Sequence, residues 1–190
     1  MVDRQELTDQ SSSIDLCEAP NISHTCWETV IRSCLLYTSI SCLELDGLYQ
    51  QPNWNRLEVK EFRARVGSFV EQTRWVVVGN YSRVRDILWP RSTTILFIDL
   101  PKRVVMTRVI QRTILRIVKR EQLWNGNRES LRNALSRDPM RNIILWSWNS
   151  HSKYHDVVPH EAREYVGPDR VVVLSSARDV RKFLEEATTT

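Results

Sequence analysis

Three short, almost uninterrupted apolar runs constrain this chain more than any other feature: Trp75-Val76-Val77-Val78, Ile95-Leu96-Phe97-Ile98 and Val171-Val172-Val173-Leu174. Four consecutive apolar residues present nonpolar side chains on both faces of a strand, which suits a sheet covered by helices on both sides; such sheets are parallel. Each run stops abruptly, at Gly79-Asn80, at Asp99-Leu100-Pro101 and at Ser175-Ser176. Helical spacing fills the intervals. Leu57, Phe62, Val66, Phe69 and Val70 predict a helix over 57–70, and Pro101 opens another that runs to about 124. A second helical stretch covers 128–154 with a break near Asp138-Pro139, and 177–187 is the closing helix. Cys42-Leu43-Glu44-Leu45-Asp46 reads as one further short strand, ended by Gly47. Strands alternating with helices predict a doubly wound α/β domain with a parallel sheet.

At 190 residues the chain suits one domain. Residues 1–25, with Ser11-Ser12-Ser13, scattered acids and no sustained period, read as a poorly ordered tail. Charge is divided along the chain. Residues 1–46 hold two basic and eight acidic residues, net −6, against 25 basic and 15 acidic in the remainder, net +10, which together make the overall +4. A basic body fits a phosphate-bearing partner, nucleotide or nucleic acid, or simply a solvated face. No apolar run is long enough to span a bilayer, and residues 1–13 are polar and acidic, so the expectation is a cytoplasmic protein with no membrane contact. Cys17, Cys26, Cys34 and Cys42 include no close pair of the kind that presents two thiolates to one zinc ion, and read as buried or incidental thiols.

Ligands of open α/β sheets bind beyond the carboxyl ends of the strands. In this sequence those positions are Asp46, then Gly79-Asn80-Tyr81 with Arg83 and Arg85, then Asp99. Asp99 can hold a magnesium-bound water or a substrate hydroxyl; it can equally cap the next helix. Beyond Pro101, arginines recur every four residues at Arg108, Arg112, Arg116 and Arg120, with Val105, Val109, Ile110, Ile114, Ile117 and Val118 on the apolar side. That spacing keeps the guanidinium groups on one helix face. The stripe reads as a grip for nucleotide phosphates, as an exposed face, or as contact with a nucleic-acid backbone. Trp124, Trp146 and Trp148 read as core residues, with base stacking as the alternative.

An ordered series of motifs resembles a known family: Glu44-Leu45-Asp46-Gly47-Leu48-Tyr49, Gln50-Gln51-Pro52-Asn53-Trp54, Phe62, Trp75 to Tyr81, Leu100-Pro101, and Leu123-Trp124-Asn125-Gly126-Asn127-Arg128-Glu129. They are similar to a bacterial family of adenylate-kinase-like P-loop proteins, variously called adenylate kinase, cytidylate-kinase-like or DNA topology modulation protein, over about 41–187. The resemblance implies a sheet of the P-loop nucleotide-kinase type and ATP-dependent phosphoryl transfer, with Mg2+, to a nucleotide or related small acceptor. By position, Asp46 and Trp54 would border the acceptor site, Gly79, Asn80, Tyr81 and Arg83 would line it, Asp99 would face the cofactor, and Arg108, Arg112 and Arg116 would serve catalysis from an arginine-bearing lid.

The chain departs from that family twice. Val78 stands where members commonly carry aspartate. More consequentially, members open with a strand and a Gly-rich loop ending in Lys-Thr or Lys-Ser, whose amides and lysine cradle phosphates; here the first glycine is Gly47 and the first lysine Lys60. The expected architecture is therefore a kinase-like domain over 41–190 whose central, loop-bearing strand is absent or replaced, behind an atypical head over 1–40. Cys34-Leu35-Leu36-Tyr37-Thr38-Ser39 resembles the translation of a transposon end used in sequencing libraries, so the head is expected to be chimeric or mistranslated, the alternative being a natural gene that lost its loop. No appreciable catalysis is expected of the chain as written, and a non-catalytic nucleic-acid binder or a non-functional fragment are the alternatives.

Overall fold

The computed structural model describes residues 41–189, and the expectations for the tail, the head and Cys17, Cys26 and Cys34 fall outside them. Two pairs of short parallel strands form the β structure. Strand β1 (Ser41–Glu44) pairs with β2 (Trp75–Val78), placing Glu44 opposite Val78, and β3 (Ile95–Ile98) pairs with β4 (Val171–Leu174), placing Ile98 opposite Leu174. Parallel neighbours need long crossovers. Helix α1 (Leu45–Tyr49) and α2 (Val59–Phe69) lie in the first crossover; α3 (Arg85–Arg91) leads from β2 to β3. The second crossover carries α4 (Lys102–Lys119), α5 (Leu131–Ala134), α6 (Ile143–Ser152) and α7 (Val158–Val166), and α8 (Ala177–Thr189) follows β4. The fold is mixed α/β, mostly helical, and among the described residues β2 and β3 do not pair with each other.

Burial explains where the apolar runs settle. Val76 and Val77, adjacent and therefore on opposite faces, are both buried, as two-sided coverage requires. Strand β3 is covered less completely, passing from buried Ile95 to exposed Ile98. One cluster joins Val77, Ile95 and Val171 of three strands to Phe62 and Val66 of α2 and to Val158 and Ala162 of α7. A smaller one lies under α8, around Leu174 and Val180.

Several expected boundaries move. Leu45 and Asp46 do not extend the first strand; they open α1, because Leu45 and Tyr49, one turn apart, are both buried on the same helix face. Helix α4 stops at Lys119, short of 124, where Arg120 turns left-handed (φ 49°) and its amide bonds back to the carbonyls of Arg116 and Ile117. The stretch expected to be helical over 128–154 holds only α5 before Asn142. The break near Asp138-Pro139 is present: the Asp138 carbonyl accepts from the amides of Arg141 and Asn142 at 3.0 Å. Asn142 then caps α6, its Oδ1 accepting from the amides of Ile144 and Leu145 at 3.0 and 3.1 Å. Helix α6 runs through a π-helical turn, Lys153–Val157, into α7, and Gly167 ends the run at φ 93°.

Phe62 is fully buried and packs edge-on against Tyr49 at 5.0 Å, so its loss opens a cavity next to the first strand pair. Phe62→Ala should lower unfolding free energy by about 3–5 kcal/mol in urea titrations, while the exposed neighbour Arg65→Ala should change it by less than about 0.5 kcal/mol.

Candidate functional site

The parallel register delivers the chain from β1 and from β2 to the same edge, and there Asp46 meets Tyr81, whose hydroxyl donates to the Asp46 carboxylate. Gly79 makes the approach possible. It sits at φ 121°, where side chains are strained, and an added Cβ would lie 3.0 Å from that of Leu45. Tyr49, Phe62 and Tyr81 form an aromatic wall with centroids 5.0 to 5.5 Å apart. Arg83 Nη1 donates to the Tyr49 hydroxyl at 3.2 Å, and Arg85 is held by Asn80 at 2.9 Å and by Glu161 at 2.8 Å.

Burial pushes the Asp46 carboxyl above its ordinary range; the Tyr81 hydrogen bond opposes this, the charge of Glu44 adds to it, and Arg112 and Arg116 pull it back down. Burial, then the Asp46 charge, raises the Tyr81 phenol. A carboxyl whose folded pKa lies above its unfolded one binds more protons when folded, so it weakens the fold as pH rises through that window. Asp46→Asn, which keeps an acceptor for Tyr81, should therefore raise Tm at pH 8, and the gain should shrink as pH falls toward 4. A Tm gain independent of pH would rule out the buried charge as its source.

A second segment closes over this edge. The turn at residues 123–129 docks on 44–55 through reciprocal polar contacts: the Trp54 amide donates to Asn127 Oδ1 at 2.9 Å and the Trp54 indole to the Arg128 carbonyl at 3.2 Å. Asn127 Nδ2 donates to the Gln51 carbonyl at 2.9 Å, Asn125 Nδ2 to the Gly47 carbonyl at 3.1 Å, and the Trp124 indole to Glu44 at 2.7 Å. Asn53, Trp54 and Asn125 all adopt left-handed backbones. Asparagine tolerates that conformation and tryptophan does not, so the contacts on both sides of Trp54 hold a strained residue in place. Gly47 is required here as well, because a Cβ would lie 2.8 Å from Trp124. The docked turn carries Glu129 to Arg116, 3.4 Å apart and both largely buried.

The arginine stripe lies differently from its sequence reading. Arg108, Arg112 and Arg116 are half-buried and Arg120 is exposed. Ile110, Ile114 and Val118, expected on the apolar side, are exposed, Val118 by 74 %, because α4 packs along α6 through other residues and keeps Arg112 and Arg116 on the side of the site. Trp146 and Trp148, expected in the core, are also exposed, and Lys102 lies 3.7 Å over the Trp148 ring. Trp124 alone of the three is engaged at the site.

Asp99 lies at the end of β3, apart from these contacts. It neither sits free nor caps α4 by a side-chain hydrogen bond; its Oδ1 meets Nδ1 of His155 at 2.5 Å. The Asp99 hydrogen bond and charge raise the His155 pKa above its ordinary 6.5. Because the folded value is the higher one, the pair's contribution is fully present below 6.5 and is lost as pH rises through the raised pKa. Asp99→Asn should bring the His155 midpoint, followed by NMR, down toward 6.5.

The five glycines stand at 47, 67, 79, 126 and 167, none followed by Lys-Ser or Lys-Thr, and among the described residues no three His, Cys, Asp or Glu side chains are grouped to hold a metal ion. No helix among the described residues is long and apolar enough to cross a membrane. Compared with protein-family models, curated proteins and solved structures, the chain matches none. Of the predicted site residues, Asp46, Gly79, Asn80, Tyr81, Arg83, Arg112 and Arg116 gather at the β1–β2 edge with Trp54 beside them, whereas Asp99 pairs elsewhere and Arg108, among the described residues, makes no hydrogen bond or ion pair with the group. The sequence reading missed Glu44, Tyr49 and Glu129 as partners, although each stands inside a quoted motif, and missed His155, whose signal was Pro159 four residues later.

Proposed function

We propose that this chain is the acceptor-side body of a nucleotide-kinase-type phosphotransferase that does not transfer phosphate as written. One observation carries the reading. Asp46, Tyr81, Arg112 and Arg116, distant in sequence, act on one another at the carboxyl ends of two parallel strands, where open α/β sheets bind ligands. A buried carboxylate beside a phenol can take a hydroxyl of an acceptor, and two nearby guanidinium groups can offset phosphate charge. The docking of Leu123 to Glu129 on Glu44 to Trp54 supports it further, since those motifs carry the family resemblance. The two parallel strand pairs are compatible with a doubly wound sheet whose central strand, in the family, lies between β2 and β3.

The absence of a Gly-rich loop sets the limit of this function: without its amides and lysine, phosphates meet only a basic surface. A nucleic-acid-backbone role for the stripe is the weaker reading, because Arg112 and Arg116 turn inward on Asp46 and Glu129. Calorimetry with magnesium-ATP should show no saturable site in the native chain, and a micromolar Kd there would overturn the inactive reading. Replacing residues 1–40 with a strand, a Gly-rich loop ending in Lys-Thr and a helix should create saturable ATP binding together with a cooperative melt. A well-folded graft that still ignores ATP would overturn the kinase-type reading itself.

A further inference from the structure

Pro159 has no backbone N–H, so the carbonyl of His155, four residues earlier, loses its helical donor, and the proline ring crowds that carbonyl. The helix widens to accommodate this: across Lys153–Val157 it makes a π turn in which the Val158 amide bonds to the Lys153 carbonyl. Single π turns recur where a helix re-aims a side chain for function. The side chain delivered here is His155. Its Nδ1 meets Asp99 Oδ1 at 2.5 Å, and its ring stacks 5.8 Å from that of His151, whose Nε2 lies 3.1 Å from the Leu100 carbonyl. Two imidazoles from one helix thus lie against the carboxyl end of β3. The Asp99 side chain keeps 15 % exposure beneath a His155 that is itself 50 % exposed, so the covering group can leave without opening the core.

We propose that His155 is a latch on Asp99: the π turn set by Pro159 holds the imidazole over the carboxylate and closes the end of β3 to ligands until the half-exposed ring swings away. The neighbouring Tyr154 packs against the main core, with its ring 5.8 Å from that of Trp146. The latch does not depend on phosphoryl transfer being the chemistry of the chain.

Carboxylate labelling with a water-soluble carbodiimide and a glycine ester, read by mass spectrometry, tests the latch on the full chain at pH 6. In the native protein Asp99 should label slowly relative to exposed Asp169. His155→Ala should raise Asp99 labelling severalfold with Asp169 unchanged. Pro159→Ala, which removes the cause and keeps the imidazole, should do the same, and His155→Gln, which retains a donor, should leave Asp99 protected. If His155→Ala raises labelling at every carboxylate it has unfolded, and Pro159→Ala against His155→Gln then decides. Native Asp99 labelling as fast as Asp169, or protection persisting in the folded Pro159→Ala protein, would sink the proposal.

Discussion

Partial burial of the Asp46 carboxylate is the constraint around which the rest of the site is arranged. A charge taken out of water must be met by donors or opposite charge, or give up its ionisation. Here Tyr81 donates to it from the neighbouring strand end, and the charges of Arg112 and Arg116 on α4 favour its ionised form. Each of those groups needs support of its own. Tyr81 is wedged in the aromatic wall with Tyr49 and Phe62, and Arg116 is shared with Glu129, which arrives only because the turn at 123–129 is docked. A single desolvated carboxylate thus ties β1, β2, α4 and a distant turn into one unit.

The docking itself relies on side-chain amides. Asn125 and Asn127 satisfy backbone groups of 47–54 that a loop lying on a loop would otherwise leave unpaired, and two tryptophan indoles find carbonyl or carboxylate acceptors. These polar contacts are directional, which fixes position more than it adds stability. That property suits a segment whose role is to hold Glu129 and Arg116 beside Asp46.

Two strand ends, two different arrangements, result. At β1 and β2 the half-buried carboxylate is met by a phenol from the neighbouring strand end; at β3 it is covered by one imidazole that remains half in water. The π turn serves the second of these, where His155 meets Asp99, while its Tyr154 packs against the main core.

How much of this was legible follows from range. The apolar runs at 75–78, 95–98 and 171–174 determined the strands, because four adjacent apolar side chains have few other places to go, and Pro101 marked a helix start by local chemistry, whereas the Asn142 cap was found only in the structure. The short helix at Leu45–Tyr49 was not legible, since five residues form a helix only when packing holds them, and that packing comes from Phe62 and Tyr81. Asp46, Tyr81 and the arginines could be named from position and spacing. Their mutual contact could not, because spacing on α4 fixes which residues share a face and says nothing of which way that face turns. It turned inward, leaving Ile114 and Val118 to water. The sequence by itself determined the elements and the kinds of chemistry they carry; the tertiary structure alone decided which charges are buried, and so which pairs form, because desolvation depends on everything that surrounds a group and not on its neighbours in the chain.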